Sequence, residues 1–408
     1  MTKKIRTYSS KLALSDFTAR LSAKWRLRTL PTAPEAPAKQ TERHAAMEAI
    51  LAQLVSYPTV TGNTEAIHDA FGYIEAYLTE RGMYCKRIEH DSTESLIATT
   101  RRTKKPKLFL AGHLDVVSGP SRMFTLREEA GKFYGRGVLD MKCSIAAFMQ
   151  VVDSLSGDLK AYDFGLMISS DEEAGGDAGV GYLADQGYLA DVCVIPDGGD
   201  DWQVQTHAKG YLFLSLAAEG KATHASRPWD GKSAIEMMMG ALQDIKALFP
   251  KPTPETDTFN FGKISGGNTI NQIAGHAEAL VDVRVINEAR KAALLRSIED
   301  ICERHNVQLT LVSQGVTVEV DITEPHIADF VSIVSDVTGL NITGSRTMGT
   351  SDLRFLIAKG IPCISYYPLG GGHHSADEWL DKTAFHQSYD ILMRYVAQQT
   401  ATGKKGKP

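Results

Sequence analysis

No hydrophobic run in this 408-residue chain approaches the roughly 20 residues that a membrane-spanning helix needs. Cysteine is scarce and unpaired. Its five cysteines, Cys85, Cys143, Cys193, Cys302 and Cys363, never fall as C-x-x-C. That pattern gives neither a disulfide framework nor a cysteine zinc site, and it reads as the reduced thiols of a cytoplasmic protein. A charge excess of one sign is also lacking. The net charge of -5 gives no reason to expect nucleic acid or an anionic membrane as partner. Gly370 to Gly372 are followed by no Lys-Ser/Thr pair, so a phosphate cradle is a poorer reading than a flexible turn. The N-terminus lacks an apolar h-region, which argues against a secretory signal.

What the N-terminus does hold is base. Lys3, Lys4, Arg6, Lys11, Arg20, Lys24, Arg26 and Arg28 face almost no acid before the Pro/Ala stretch PTAPEAPAKQ. Leu14, Phe17, Leu21 and Trp25 fall near helical spacing, which predicts an amphipathic helix over Ser15–Leu27. A mitochondrial transit peptide and an appended docking helix fit this composition equally. Residues 1–43 are therefore read as a basic extension and linker.

From about His44 the chain alternates helix and strand. Met47 to Val55 and Glu65 to Glu80 read as helices, the second closed by Arg81-Gly82. Short, nearly continuous apolar runs follow at Leu108 to Ala111, Phe164 to Ile168, Val192 to Ile195 and Ile361 to Tyr366, the signature of buried parallel strands. Met141 to Leu155 puts Ile145, Phe148, Met149 and Val152 on one helical face. Tyr211 to about Ser313 changes to strand, helix, strand, strand, helix, strand, the β-α-β-β-α-β order of a ferredoxin-like unit. The fold class expected is α/β: a mostly parallel-sheet catalytic domain over 44–205 and 316–400. A ferredoxin-like lid or dimerisation domain over 206–315 is inserted into it. A cleft between two such domains is a natural substrate site.

Metal-compatible side chains recur at the carboxyl ends of the predicted strands, where open α/β sheets bind ligands. LFLAGHLD ends in His113 and Asp115, and FGLMISSDEE in Asp171, Glu172 and Glu173. DVCVIPD ends in Asp197, and CISYYPLGGGHH in His373 and His374. Asp140 stands at the start of the Met141 helix. Singly these have ordinary readings: Asp140 as an N-cap, Asp197 as a turn former, Glu172 and Glu173 as solvated loop charges. Together, without cysteine, they form the mixed nitrogen and oxygen set that suits catalytic zinc.

GHLDVV, GRGVLDMKCSIAAF, SSDEEAGG, the Asp197 strand end and HHSADEWL resemble the signatures of the aminoacylase/carboxypeptidase superfamily. Its members include acetylornithine deacetylase, succinyl-diaminopimelate desuccinylase and glutamate carboxypeptidase. The resemblance runs from about Met47 to the C-terminal helix. It implies two divalent ions, expected to be zinc with cobalt or manganese as alternatives, bridged by Asp140. His113 and Asp197 would complete one site, Glu173 and His374 the other. Asp115 would orient His113 through its second ring nitrogen, and Glu172 would be the general base. The His373-His374 pair departs from the family's single His, and the spacing to Glu378 favours His374.

The resemblance further implies a homodimer through the inserted domain, with His224 reaching the other subunit's site. Asn268, Arg284, Thr350, Ser351 and Arg354 would contact substrate, an arginine fork suiting a carboxylate. Arg284 reads equally well as a cross-strand ion-pair partner, and Arg354 as a helix-surface charge. The activity expected is hydrolysis of an amide bond in an N-acyl amino acid. A dipeptidase or exocarboxypeptidase on the same residues is the alternative, and a non-catalytic binding protein on this scaffold a third.

Overall fold

The structure is a computed structural model, and it describes residues 36–347, 349 and 351–402. The expected Ser15–Leu27 helix lies outside the described residues. Helices over Pro37–Ser56 and Thr64–Glu80 open the described chain. Asn63 caps the second, its side chain accepting the N–H of Ala66, as a short polar residue does at a helix start.

A six-stranded sheet forms the body, in the order Tyr84–His90, Thr93–Thr99, Phe164–Ser169, Leu108–His113, Val192–Ile195, Cys363–Ser365. The last four run parallel to one another. All residues of Leu108–His113, Phe164–Ser169 and Val192–Ile195 are buried, which is why their sequences are apolar without alternation. The expected strands stand within two or three residues of where the apolar runs place them. The run Ile361 to Tyr366 is trimmed at both ends, and the Met141 helix begins at Lys142.

An antiparallel hairpin at one edge of this sheet was not expected. Tyr84–His90 pairs with Thr93–Thr99 around Asp91 and Ser92, both at positive φ (45° and 63°). A two-residue turn of that sign matches the strand twist, but Asp-Ser is a weak signal for it. The first strand is also half exposed and charged, so no apolar run marks it.

The Lys142–Leu155 helix packs between the sheet, the Thr64–Glu80 helix and the Lys382–Thr400 helix. Phe71, Phe148, Phe164, Phe330, Phe385 and Tyr395 are fully buried in the shared core, each large apolar side chain contributing about 1.5–3 kcal/mol by leaving water.

Gly210–Gly315 builds a separate sheet, in the order Thr258–Gly266, His276–Val285, Gly210–Glu219, Val307–Gly315, all antiparallel. Helices Ala234–Ala247 and Glu288–His305 pack on it, so the element order is the ferredoxin-like one. Its core of Leu212, Leu214, Met238, Val281, Val283 and Ile298 is distinct from that of the body. Phe213, Leu280 and Val312 stay exposed on the sheet.

A small sheet of Gly370–Gly371, Trp379–Asp381, Lys132–Tyr134 and Arg127–Glu129 lays HHSADE beside GRGVLD. No described helix is long and apolar enough to cross a membrane.

Candidate metal centre

Three parallel strands deliver His113, Glu172 with Glu173, and Asp197 just beyond their ends, while Asp140 precedes the Lys142–Leu155 helix and His374 follows the Gly370–Gly371 strand. Two groups of three result, each able to present its ligand atoms within 4.8 Å of one another: His113, Glu172 and Asp197, and Asp140, Glu173 and His374. Asp140 lies between them. His113 Nε2 is 3.1 Å from its Oδ1, and His374 Nε2 is 3.2 Å from its Oδ2. His374 Nε2 also lies 3.1 Å from Glu173 Oε1. Of the adjacent histidines it is thus His374, set at φ 62° after Gly372 (φ 69°), that turns into the cluster. His373 stacks on the Tyr367 ring instead, centroids 5.8 Å apart.

The surroundings of this cluster are built as carefully as the cluster. Asp115 is fully buried. Its Oδ1 accepts the Glu172 N–H (3.3 Å), and its Oδ2 accepts the Thr61 hydroxyl (2.9 Å) and the Glu173 N–H (3.2 Å). Asp115 stands at the second ring nitrogen of His113 through its main chain. The imidazole Nδ1 meets the Asp115 main-chain carbonyl at 2.9 Å, while the carboxylate stands 3.6 Å away. The carboxylate is drawn off by the two N–H groups and the hydroxyl, and instead fixes the turn that carries Glu172 and Glu173. Asp140 is not an N-cap. The cap residue is Met141, with no side-chain cap bond. Asp171 accepts the N–H groups of Ala178 and Gly179 and so braces its own loop.

Electrostatics favour a cation here. Burial raises the Glu172 carboxyl well above the ordinary value, and Asp197 adds to the effect. Asp197 is raised by burial and then by Asp140, and Glu173 chiefly by burial. Burial pulls His113 down, but the nearby carboxylates of Asp115 and Asp140 outweigh that and hold it raised. The bond to Asp140 lifts His374 to about 9. The carboxylates outnumber the imidazoles, and Asp197 Oδ2 is buried with no hydrogen-bond partner. A hard or borderline divalent cation would supply the missing charge and would find a bare oxygen there, so these residues fit divalent metal ions.

Sequence reasoning gave no role to two residues here. Tyr367 donates its hydroxyl to Asp197 Oδ1 at 2.6 Å, with Asp140 Oδ1 at 3.2 Å; directly after the apolar run that ends at Tyr366, it reads as core. Glu378, 1% exposed, accepts from Arg136, Gly137, Leu139 and Asp140; its spacing from His374 was the only available signal.

Among the described residues, the other expected positions fall outside both groups of three. His224 is exposed, with Nδ1 2.8 Å from Ser226 Oγ, and Asn268 is exposed. Arg284 pairs with Asp282 (2.8 Å), the cross-strand sheet-face reading modified to a neighbour on its own strand. Arg354 is no surface charge. It is buried and donates to the carbonyls of Ser351 and Gly175. Ser351 is buried with its hydroxyl unpartnered, and Thr350 lies outside the described residues.

Fold and donor set define the class, a metal-dependent hydrolase of amide or peptide bonds. The chain belongs to peptidase family M20/M25/M40, whose family model matches residues 109–398. It is 30% identical over 359 residues to a succinyl-diaminopimelate desuccinylase of Caulobacter sp. (strain K31), covering 81% of this chain and 90% of that one. Among solved structures it is similar to a tripeptidase from Staphylococcus aureus (TM-score 0.73, 21% identity, 87% and 99% of the two chains). It is also similar to a family M20 metallo-carboxypeptidase from Sulfolobus solfataricus (TM-score 0.66, 16% identity, 86% and 99% covered).

Proposed function

We propose that the chain is an N-acyl-amino-acid deacylase of the desuccinylase type, with two zinc ions held by residues of the two groups. The single observation that carries this reading is Asp140, whose two carboxylate oxygens address His113 and His374 separately. His113 and Asp197 would hold one ion and Glu173 and His374 the other, with Asp140 shared. When bound, such ions polarise the scissile carbonyl and make water a nucleophile near neutral pH.

The chain's own residues supply the rest. Glu172, raised by burial, takes a proton from the attacking water and returns it to the departing amine. Asp115 keeps Glu172 and Glu173 on the rim through their N–H groups. His224 is exposed on the ferredoxin-like insert and outside both groups, which suits action across a homodimer. In that reading residues 206–315 are the lid and dimerisation domain, and His224 of the partner subunit donates to the developing oxyanion. The unpaired cysteines suit the cytoplasm.

Similarity to a desuccinylase at 30% identity supports the deacylase reading over a peptidase. The test is amine release from N-succinyl and N-acetyl amino acids beside dipeptides with free amino termini, with added zinc or cobalt and a chelator control. Chelator-sensitive cleavage of the acylated half is the expected result. Preference for the dipeptides makes the chain a dipeptidase or exocarboxypeptidase, and no cleavage by the metal-loaded dimer returns it to the binding-protein reading.

A further inference from the structure

Asp197 comes off its strand into two glycines at positive φ, Gly198 at 156° and Gly199 at 76°. Such a turn leaves little to hold its carboxylate. Among the described residues one donor does so: the Tyr367 hydroxyl, 2.6 Å from Oδ1. The other oxygen, Oδ2, is buried and has no partner. The two oxygens of Asp197 are therefore not equivalent, one being capped and the other bare.

The phenol that makes them so is itself well anchored. The Tyr367 carbonyl accepts the Trp202 N–H at 2.8 Å, and its ring lies against His373. The preceding Tyr366 is 1% exposed and packed on Trp202 and Phe330. A donor fixed by the core can set the rotamer of a loop carboxylate, whereas water in its place would leave that rotamer free. The same hydroxyl lies 3.2 Å from Asp140 Oδ1, so it touches the carboxylate between the two groups as well.

We infer that Tyr367 is a positioning residue of the metal centre. It caps Asp197 Oδ1 so that Oδ2 is the oxygen offered to an ion in the His113, Glu172, Asp197 group. This rests on the metal-site reading given above. Its consequence is selective: loss of the hydroxyl weakens one of two metal sites and spares the one built by Glu173 and His374.

The test is titration of metal-free Tyr367→Phe with zinc by calorimetry, beside the parent and Asp197→Ala, with Co(II) absorption as a second readout. The parent should show two binding events. Tyr367→Phe should weaken one about 10–100-fold, the range for loss of a group that orients a ligand. It should also change the Co(II) bands of that site, and leave the other event and the metal-free melting temperature unaltered. Parent-like affinities and bands in Tyr367→Phe, with one event lost in Asp197→Ala, would overturn the role of Tyr367 alone. Two unaltered events in Asp197→Ala would overturn the metal-site reading itself. Weakening of both events with a lowered melting temperature would mark general loosening and also overturn the inference.

Discussion

Glu378 accepts the main-chain N–H of Asp140 at 3.2 Å, through the same oxygen that accepts Leu139 at 3.0 Å. Its other oxygen takes the Gly137 N–H (3.0 Å) and the Arg136 guanidinium (2.8 Å). One buried carboxylate thus fastens the turn that presents Asp140 to the loop that presents His374, four residues before it. This tie adds to the pairing of Trp379–Asp381 with Lys132–Tyr134 in holding Asp140 and His374 side by side.

Replacing Glu378 by alanine strands three buried N–H groups and one arm of a buried ion pair. Arg136 keeps the carbonyls of Ser118 and Ser375, so part of the loss is recovered. The expected destabilisation is about 3–5 kcal/mol, the cost of removing one partner of a buried pair. Urea unfolding of the metal-free protein measures it. A loss under 1 kcal/mol would mean that water replaces the carboxylate and that the tie does not help to hold the site.

Glu172 is grouped by geometry with His113 and Asp197, so base and ligand are the two roles to separate. As the base, Glu172→Gln keeps metal content, measured by elemental analysis, and loses turnover about 10²–10⁴-fold. Loss of one metal equivalent in the same variant would make Glu172 a ligand.

His113, Glu173, Asp197 and His374 follow apolar runs that mark strands and Asp140 precedes the Met141 helix, so their region was legible, whereas choosing them over Asp171, Glu172 and His373 rested on the family resemblance. A histidine or carboxylate that closes an apolar run in a parallel sheet has few places to go except the rim. Tyr367 was illegible for the converse reason. Phenol and core aromatic look alike in YYP, and only the packing of Tyr366 inward turns Tyr367 outward. The Tyr84–Thr99 hairpin escaped because its outer strand is charged and its turn lacks glycine. Arg284 lies on the open face that its alternation with Val281, Val283 and Val285 marks, but for Asn268 and His224, which surface they face depends on the insert and on any second subunit, and no periodicity encodes that.

Asp140 faces both histidines, so no other single substitution is expected to cost as much metal. Asp140→Ala should lose both equivalents, whereas His374→Ala should lose one. Equilibrium dialysis against zinc checks the difference. Two retained equivalents in Asp140→Ala would rule out a shared carboxylate.

A pH effect on stability is expected far from the metal centre, at His386. Its ring is stacked on His44 with centroids 3.7 Å apart, and Nε2 lies 2.9 Å from Glu48. Burial, then the neighbouring His44, lower it from 6.5 to about 4, against the pull of Glu48. Above pH 6.5 the imidazole is neutral in folded and unfolded chains alike, and its full contribution to stability is present. Between pH 6.5 and 4 the unfolded chain takes up a proton that the native site refuses, so stability falls. The slope from this group reaches at most about 1.4 kcal/mol per pH unit and levels off below pH 4. Denaturant melts of the chelated protein across that window should therefore show a shallower decline in His386→Gln than in the parent. Parallel declines would mean that folding leaves the ring unshifted, and a steeper decline in His386→Gln would mean that the native ring is protonated, paired with Glu48, with the opposite sign of contribution.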